Sequence, residues 1–291
     1  MHDQIQADRV LVAGATGHLG RPLVAELHER GCRVRVLIRR AEQATALPLA
    51  DEVFVGQVTD AATLAGAADG IDTVYSAVGI TRQRDHVSYR QVDYGGNLAL
   101  LHEAERAGVR HFTYIGILGG TAMRSVMLVG AKERFADALT ASRVRHTIVR
   151  PAGYFSDMRE FLDMAERGRV YLAGDGRRRI NPVSARDLAA ACVQATMAGS
   201  AEIQVGGPQT FSYEQIARLA LQAAGRPARI THLPPVLLRA AAGVLWTLSP
   251  ALYSPMQFFL AVVSRDMVAP ACGHDRLADY FRHQHRRHAA R

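Results

Sequence analysis

Residues 10–20 read Val10-Leu11-Val12-Ala13-Gly14-Ala15-Thr16-Gly17-His18-Leu19-Gly20. An apolar run enters three glycines at G-x-x-G-x-x-G spacing. Leu19–Arg30 then carries apolar residues at 19, 23, 24 and 27, with Gly31 behind it as a stop. This predicts a buried strand, a tight turn and an amphipathic helix. Each glycine has its own reason: Gly14 lets the chain turn, Gly17 admits a pyrophosphate with no Cβ in the way, and Gly20 lets helix and strand pack closely. The helix start offers free N–H groups and the positive end of its dipole to phosphates. Gly14, Ala15, Thr16, Gly17, His18, Leu19 and Gly20 are therefore the candidate dinucleotide cradle. Without the flanking strand and helix, the same glycines would mark only a turn needing small residues.

Further short apolar runs follow at Arg33–Ile38, Glu52–Val55, Thr73–Ala77, His111–Ile115 and His146–Val149. Helical patterns at Asp60–Ala68, Tyr89–Ala107 and Lys132–Ala141 fill the gaps. Strands covered on both faces, alternating with helices, predict an α/β fold: a doubly wound parallel sheet of Rossmann type. The second half is less regular. Helices are expected at 156–167 and 184–198, and from Ser212, with Gln215 as a capping box, to Ala224. Short strands are expected at 169–173 and 179–183 around a Gly174-Asp175-Gly176 turn, and at 203–205 and 229–232. The expected division is a nucleotide-binding domain over 1–155 and, over 156–291, a small C-terminal α/β lobe packed on the sheet, ending in apolar helices and a basic tail.

The end of the second strand, Val34-Arg35-Val36-Leu37-Ile38-Arg39-Arg40, carries no acid. An Asp or Glu there would bind the ribose 2′-hydroxyl of NAD; an Arg suits a 2′-phosphate. Arg39, with Arg40 as a second candidate, predicts NADP(H) in preference to NAD(H). A solvated basic turn is the plainer reading of the same pair.

Composition narrows the rest. Of 35 basic residues only Lys132 is a lysine, and 27 acids leave a formal charge of +8. No aromatic residues interleave with a basic stripe, so nucleic acid is not an expected partner. Cys32, Cys192 and Cys272 are far apart, and the histidines show no ligand spacing, so neither a disulfide scaffold nor a metal site is expected. A polar N-terminus leading straight into a strand gives no signal peptide, and a cytoplasmic location follows. Residues 240–264 carry no charge, but Pro250 and Pro255 interrupt them, predicting two helices (about 235–248 and 251–264) and no transmembrane span. Those helices can pack on the lobe, join two copies as a homodimer, wall a pocket or touch a membrane surface weakly. The tail at Arg282–Arg291 reads as a solvated, frayed end.

Several stretches together resemble a family: Gly14–Gly20, Ala77-Val78-Gly79-Ile80, Val92-Asp93-Tyr94, 107–115, Ile148-Val149-Arg150-Pro151-Ala152-Gly153-Tyr154, Gly174-Asp175-Gly176 and Ile180-Asn181-Pro182-Val183. The chain resembles the atypical short-chain dehydrogenase/reductases of the NmrA-like, NAD(P)-binding Rossmann group over at least residues 9–225. The resemblance implies that Ala77, Val78 and Gly79 line the adenosine and pyrophosphate side and that Pro151, Ala152 and Gly153 lie near the nicotinamide. It also implies a Tyr-x-x-x-Lys pair, and here the chain departs. Lys132 is present, but Leu128 holds the Tyr position, and Gly116-Ile117-Leu118-Gly119-Gly120 lacks the usual Ser. Leu128 has no proton to give. Lys132 can hold the nicotinamide ribose, act as the proton donor or base itself, or leave that role to Tyr154 or His18. Asp93 reads as structural, bonding a neighbouring loop, and Asp187 as a helix N-terminal cap. The expected activity is NADPH-dependent reduction of a small or medium apolar carbonyl or enone compound, with Lys132 near the reaction centre. The alternative is a non-catalytic NADP(H)-binding sensor or assembly protein.

Overall fold

A computed structural model describes residues 8–80, 87–234, 236–238, 240, 243 and 250–289. In chain order the elements are β1 (Arg9–Ala13), α1 (Gly20–Glu29), β2 (Arg33–Ile38), β3 (Glu52–Val55), β4 (Thr73–Ser76), α2 (Asn97–Arg106), β5 (His111–Ile115), α3 (Met127–Ala141) and β6 (Arg145–Pro151). Then come α4 (Arg159–Glu166), β7 (Val170–Ala173), β8 (Arg179–Ile180), α5 (Ala185–Met197), β9 (Glu202–Val205), β10 (Phe211–Ser212), α6 (Tyr213–Ala223), β11 (Ile230–Leu233), α7 (Pro250–Val263) and α8 (Leu277–Ala289). The chain divides into two compact units, one up to Gly116 with Gly130–Arg150 and Ala189–Ile203, the other of Ile117–Val129, Pro151–Leu188 and Gln204 onward.

A seven-stranded sheet in the order β3-β2-β1-β4-β5-β6-β9 forms the frame of the first unit. β1 pairs in parallel with β2 on one side and β4 on the other, Val10 facing Val34 and Thr73. The chain winds outward both ways from β1, which makes the β1–β4 boundary the switch point where such sheets bind ligands. Leu11, Val74, Leu100, Phe112 and Phe135 are buried in one apolar cluster. Its burial removes the unfavourable hydration of apolar surface, at about 25 cal/mol per Å².

Two helical expectations change form here. Asp60–Ala68 tightens into a 3₁₀ turn, Ala61–Leu64, with the Asp60 carboxylate accepting from Ala62 N at 3.2 Å. Tyr89–Ala107 splits into a π-helical turn, Arg90–Gly96, running into α2. Where they join, the buried Asn97 donates from Nδ2 to the Asp93 carbonyl at 2.9 Å. A side-chain bond of this kind supports the widened turn, and no apolar periodicity announces it.

The second unit pairs its strands in a different way from a turn-linked hairpin. β7 runs parallel to β11 and β8 antiparallel to β10, so the two strands flanking Gly174–Gly176 find separate partners. The Ser212–Gln215 capping box opens α6 as expected, with bonds of 2.7 and 3.1 Å. Asp187 is not the cap of α5. Ser184 accepts from Asp187 N at 3.0 Å, while the Asp187 carboxylate accepts from His274 N and Asp275 N at 3.1 and 2.9 Å. It ties down a loop 87 residues away, a role invisible to local spacing.

α7 is the second of the two expected helices and runs through Pro255. Pro250 opens the helix, where a missing N–H costs nothing, and Pro255 forfeits one backbone bond while Phe258, Ala261, Val262 and Val263 pack on the second unit's core. Most of the expected helix at 235–248, Trp246 included, lies outside the described residues; Val236 and Leu237 are exposed. The basic tail is not frayed. It forms α8, with Leu277 and Phe281 buried and with His285 and His288 on the two oxygens of Glu166 at 2.9 and 2.7 Å. No helix among the described residues is long and apolar enough to cross a membrane.

Candidate functional site

The turn after β1 shows why its glycines are required. Gly14 has φ +77°, and a Cβ on it would stand 2.8 Å from the Ala77 carbonyl oxygen. A Cβ on Gly20 would stand 2.1 Å from the Gly14 oxygen. The glycine turn thus packs backbone to backbone against the first turn of α1 and against Ala77, which is itself tied to β1 by Ala77 N donating to Ala13 O at 3.0 Å. No acid lies in the first turn of α1 and no side chain caps it among the described residues; Pro22 has no N–H and Arg21 N donates to Gly17 O at 3.3 Å, so what this end offers an anion is chiefly the positive end of the helix dipole. Ala15 and Leu19 are buried beneath the turn, Thr16 is half-buried, and Gly17 and His18 are exposed at its outer face.

Arg39 and Arg40 are exposed at the end of β2, and their backbone amides are both held by Gln43 Oε1, at 3.0 and 3.1 Å. Among the described residues neither guanidinium takes part in an ion pair. The backbone of this turn is thereby fixed while the two cationic heads are left for an anion.

After β4, Val78 is buried and Gly79 crosses the end of the sheet. A Cβ on Gly79 would come 2.7 Å from Asp93 Oδ1 and 3.0 Å from Lys132 Nζ. Asp93, fully buried on the π-helical turn, places Oδ1 3.2 Å from Lys132 Nζ and accepts from Ile80 N on Oδ2 at 3.3 Å. Lys132 reaches from α3 and donates to the Ile115 carbonyl at 3.4 Å, where β5 ends. Its ammonium lies 5.5 Å from the centre of the Tyr114 ring. Tyr114 is fully buried, its hydroxyl has no hydrogen-bond partner among the described residues, and burial pushes its phenol up to about 12.

The electrostatics have one dominant outcome. Burial opposes a charge on Lys132, but Tyr114, once ionised at high pH, and the Asp93 carboxylate at every lower pH outweigh it and hold the ammonium above the ordinary lysine range. Burial pushes the Asp93 carboxyl upward against the pull of Lys132 and the Ile80 amide. With a cation on one oxygen and an amide on the other, the pair is ionised. Lys132 can then donate a hydrogen bond or a proton, but at neutral pH it has no lone pair with which to act as a base.

The structure thus brings the glycine turn to Ala77, and Gly79 to Lys132 and Asp93. Pro151, Ala152 and Gly153 belong to the second unit. Pro151 ends β6, Ala152 is buried with its N–H on Val205 O at 2.9 Å, and the Gly153 carbonyl accepts from Val183 N at 2.9 Å. Tyr154 bridges to Val183 there, and Leu128 is buried in α3. Asp93 does bond its neighbouring loop through Ile80, as read from the sequence. Its pairing with Lys132 and the presence of Tyr114 beside them are additional. A Tyr on a wholly buried strand and an Asp two residues before a pair of glycines were the available signals. Within the second unit an open groove of about 1180 Å³ has Leu238, Leu260 and Val263 on its apolar side and Arg178, Glu214 and His232 on its polar side.

A doubly wound sheet with a glycine turn at its switch point and cations at the ends of β2 and β5 defines a Rossmann-type nucleotide-binding protein. The chain belongs to the NAD(P)H-binding family, which it matches over residues 14–198, within the atypical short-chain dehydrogenase/reductases. It is 28% identical over 237 residues to the Photosystem II assembly factor Ycf39 of Synechocystis sp., covering 79% of this chain and 72% of that one. It is 29% identical over 264 residues to the chloroplastic divinyl chlorophyllide a 8-vinyl-reductase of Zea mays, covering 82% and 64%. In fold it is similar to an NADPH-dependent quinone oxidoreductase of Escherichia coli complexed with NADPH. The TM-score is 0.75 and the identity 17%, with 94% of this chain and 99% of that one covered.

Proposed function

We propose that the protein is an NADPH-dependent reductase of a small or medium apolar carbonyl or enone compound. The observation that carries this reading is the buried Lys132 ammonium, held against Gly79 at the carboxyl edge of the sheet that bears the glycine turn. The residues fit the nucleotide. Gly14 and Gly20 let the turn close tightly on Ala77 and α1, the exposed Gly17 lets a pyrophosphate approach the positive end of the α1 dipole, and Arg39 and Arg40 meet a 2′-phosphate. Ala77, Val78 and Gly79 follow the adenosine and pyrophosphate side, and Pro151, Ala152 and Gly153 the nicotinamide side. When bound, the nicotinamide supplies hydride. Lys132 orients ribose hydroxyls, or gives a proton or hydrogen bond to an oxygen on which negative charge develops. The Zea mays relative, named a reductase, accords with this chemistry.

A second reading rests on Leu128. Its apolar side chain stands where the family's tyrosine would be, and the Synechocystis relative is named an assembly factor. On that reading NADP(H) is bound without turnover.

NADPH oxidation followed by its near-ultraviolet absorbance, against a panel of ketones, quinones and enones, separates the two. Consumption with at least one class, abolished in Lys132→Met while NADPH still binds, is the expected result. If binding and turnover fall together in Lys132→Met, the residue only holds the ribose. NADPH binding with no turnover across the panel would favour the assembly reading.

A further inference from the structure

We propose that Asp93 is a positioning residue: it fixes the Lys132 ammonium in place and in charged form, so that the site presents a permanent cation where β4 and β5 end. This deepens the reductase reading and rests on its assignment of Lys132 to the bound cofactor.

Taking Asp93 fully out of water is unfavourable by several kcal/mol unless its charge is met. A merely structural role, receiving the Ile80 N–H, is one an asparagine carbonyl would fill as well. The negative charge is needed only for what lies at Oδ1, and that is Lys132 Nζ at 3.2 Å. The converse holds for the lysine. Its side chain is 14% exposed, and a lysine so enclosed would lose its proton readily without a counter-charge.

Other groups around the ammonium do not supply that charge. The Ile115 carbonyl is a neutral acceptor, and Tyr114 keeps its phenol proton. Tyr89, from the chain leading into the π-helical turn, also keeps its proton, burial and Asp93 together pushing it up to about 12. Glu133, next along α3, is engaged with Arg150 at 2.6 Å. Gly79 completes the arrangement, because any side chain there would strike both members of the pair. The π-helical turn and the missing side chain at 79 are thus two local departures from regular structure that converge on one ion pair.

Lys132 is the chain's only lysine, so protein labelled with 13C-lysine gives a single side-chain resonance. In the wild type that signal should stay at its ammonium position up to about pH 10.4, the ordinary lysine midpoint. In Asp93→Asn, which preserves the shape and the acceptor for Ile80, it should titrate at least about one pH unit lower. An unchanged midpoint in Asp93→Asn would overturn the proposal. Adding NADPH tests the underlying reading separately. A shifted Lys132 signal supports it, and a signal indifferent to saturating NADPH would overturn the placement of Lys132 at the cofactor while leaving its coupling to Asp93 intact.

Should Asp93→Asn fail to fold, thermal melts of Lys132→Met and of Lys132→Met with Asp93→Asn serve instead. The pairing predicts that the single change, which strands a buried charge, lowers Tm and that the added Asp93→Asn restores much of the loss. Additive losses would overturn the proposal.

Discussion

On the proposed function, cofactor choice turns on Arg39. A guanidinium bonded to a 2′-phosphate contributes about 1.5–3 kcal/mol. Arg39→Ala is therefore expected to weaken NADPH binding about tenfold to a hundredfold and leave NADH nearly unchanged, as read by fluorescence titration. Equal losses would assign Arg39 no part in discrimination. His111 sets a separate, pH-dependent term. It is buried on β5 with Nε2 2.9 Å from Thr147 Oγ1, and the Thr147 hydroxyl donates to the Ser200 carbonyl at 2.6 Å. That leaves the ring nitrogen as the donor to threonine, so the neutral Nε2–H form is the one accommodated. Burial first, then Arg145 and His146, lower its pKa to about 4. The unfolded chain, titrating near 6.5, then binds the extra proton first. Stability from this residue is complete above pH 6.5 and is lost as the pH falls toward 4, about 3 kcal/mol in all. Melts across that range should show a slope that His111→Gln flattens; an unchanged slope would remove His111 as its source.

At the scale of elements, the glycine turn is the tightest joint. Gly20→Ala places a methyl 2.1 Å from the Gly14 carbonyl, so α1 must shift. The expected cost is about 1–3 kcal/mol, a fall of a few degrees in Tm, together with loss of NADPH affinity. Unaltered melting and binding would mean that α1 can move freely against β1. This joint and the strands were legible in the sequence. Arg9–Ala13, Arg33–Ile38, Glu52–Val55 and His111–Ile115 are short apolar runs bounded by breakers, and buried parallel strands must look that way. The Asp93–Lys132 pair was not legible as a pair. Its members are 39 residues apart on different helices, and only the crossover from β4 to β5 brings them together. The Asp187 tie to the 274–275 loop was hidden for the same reason. α7 keeps the span expected for it, about 251–264, with Pro255 inside it, and the packing of Phe258 and Val262 offsets the backbone bond that proline forfeits.

For the molecule as a whole, α8 shows what the C-terminus contributes. Leu277 and Phe281 are buried, and each such side chain stabilises by about 1.5–3 kcal/mol. Truncation after Arg276 is expected to leave the second unit insoluble or without a cooperative melt. A soluble truncated protein with a wild-type melt would show that α8 adds nothing to its core. The proposed NADP(H) preference is tested most directly on the wild-type protein. Parallel calorimetric titrations with NADPH and NADH at one salt concentration should give one site per chain, with NADPH bound at least about tenfold more tightly. No binding of either nucleotide, or NADH bound as tightly as NADPH, would contradict the account.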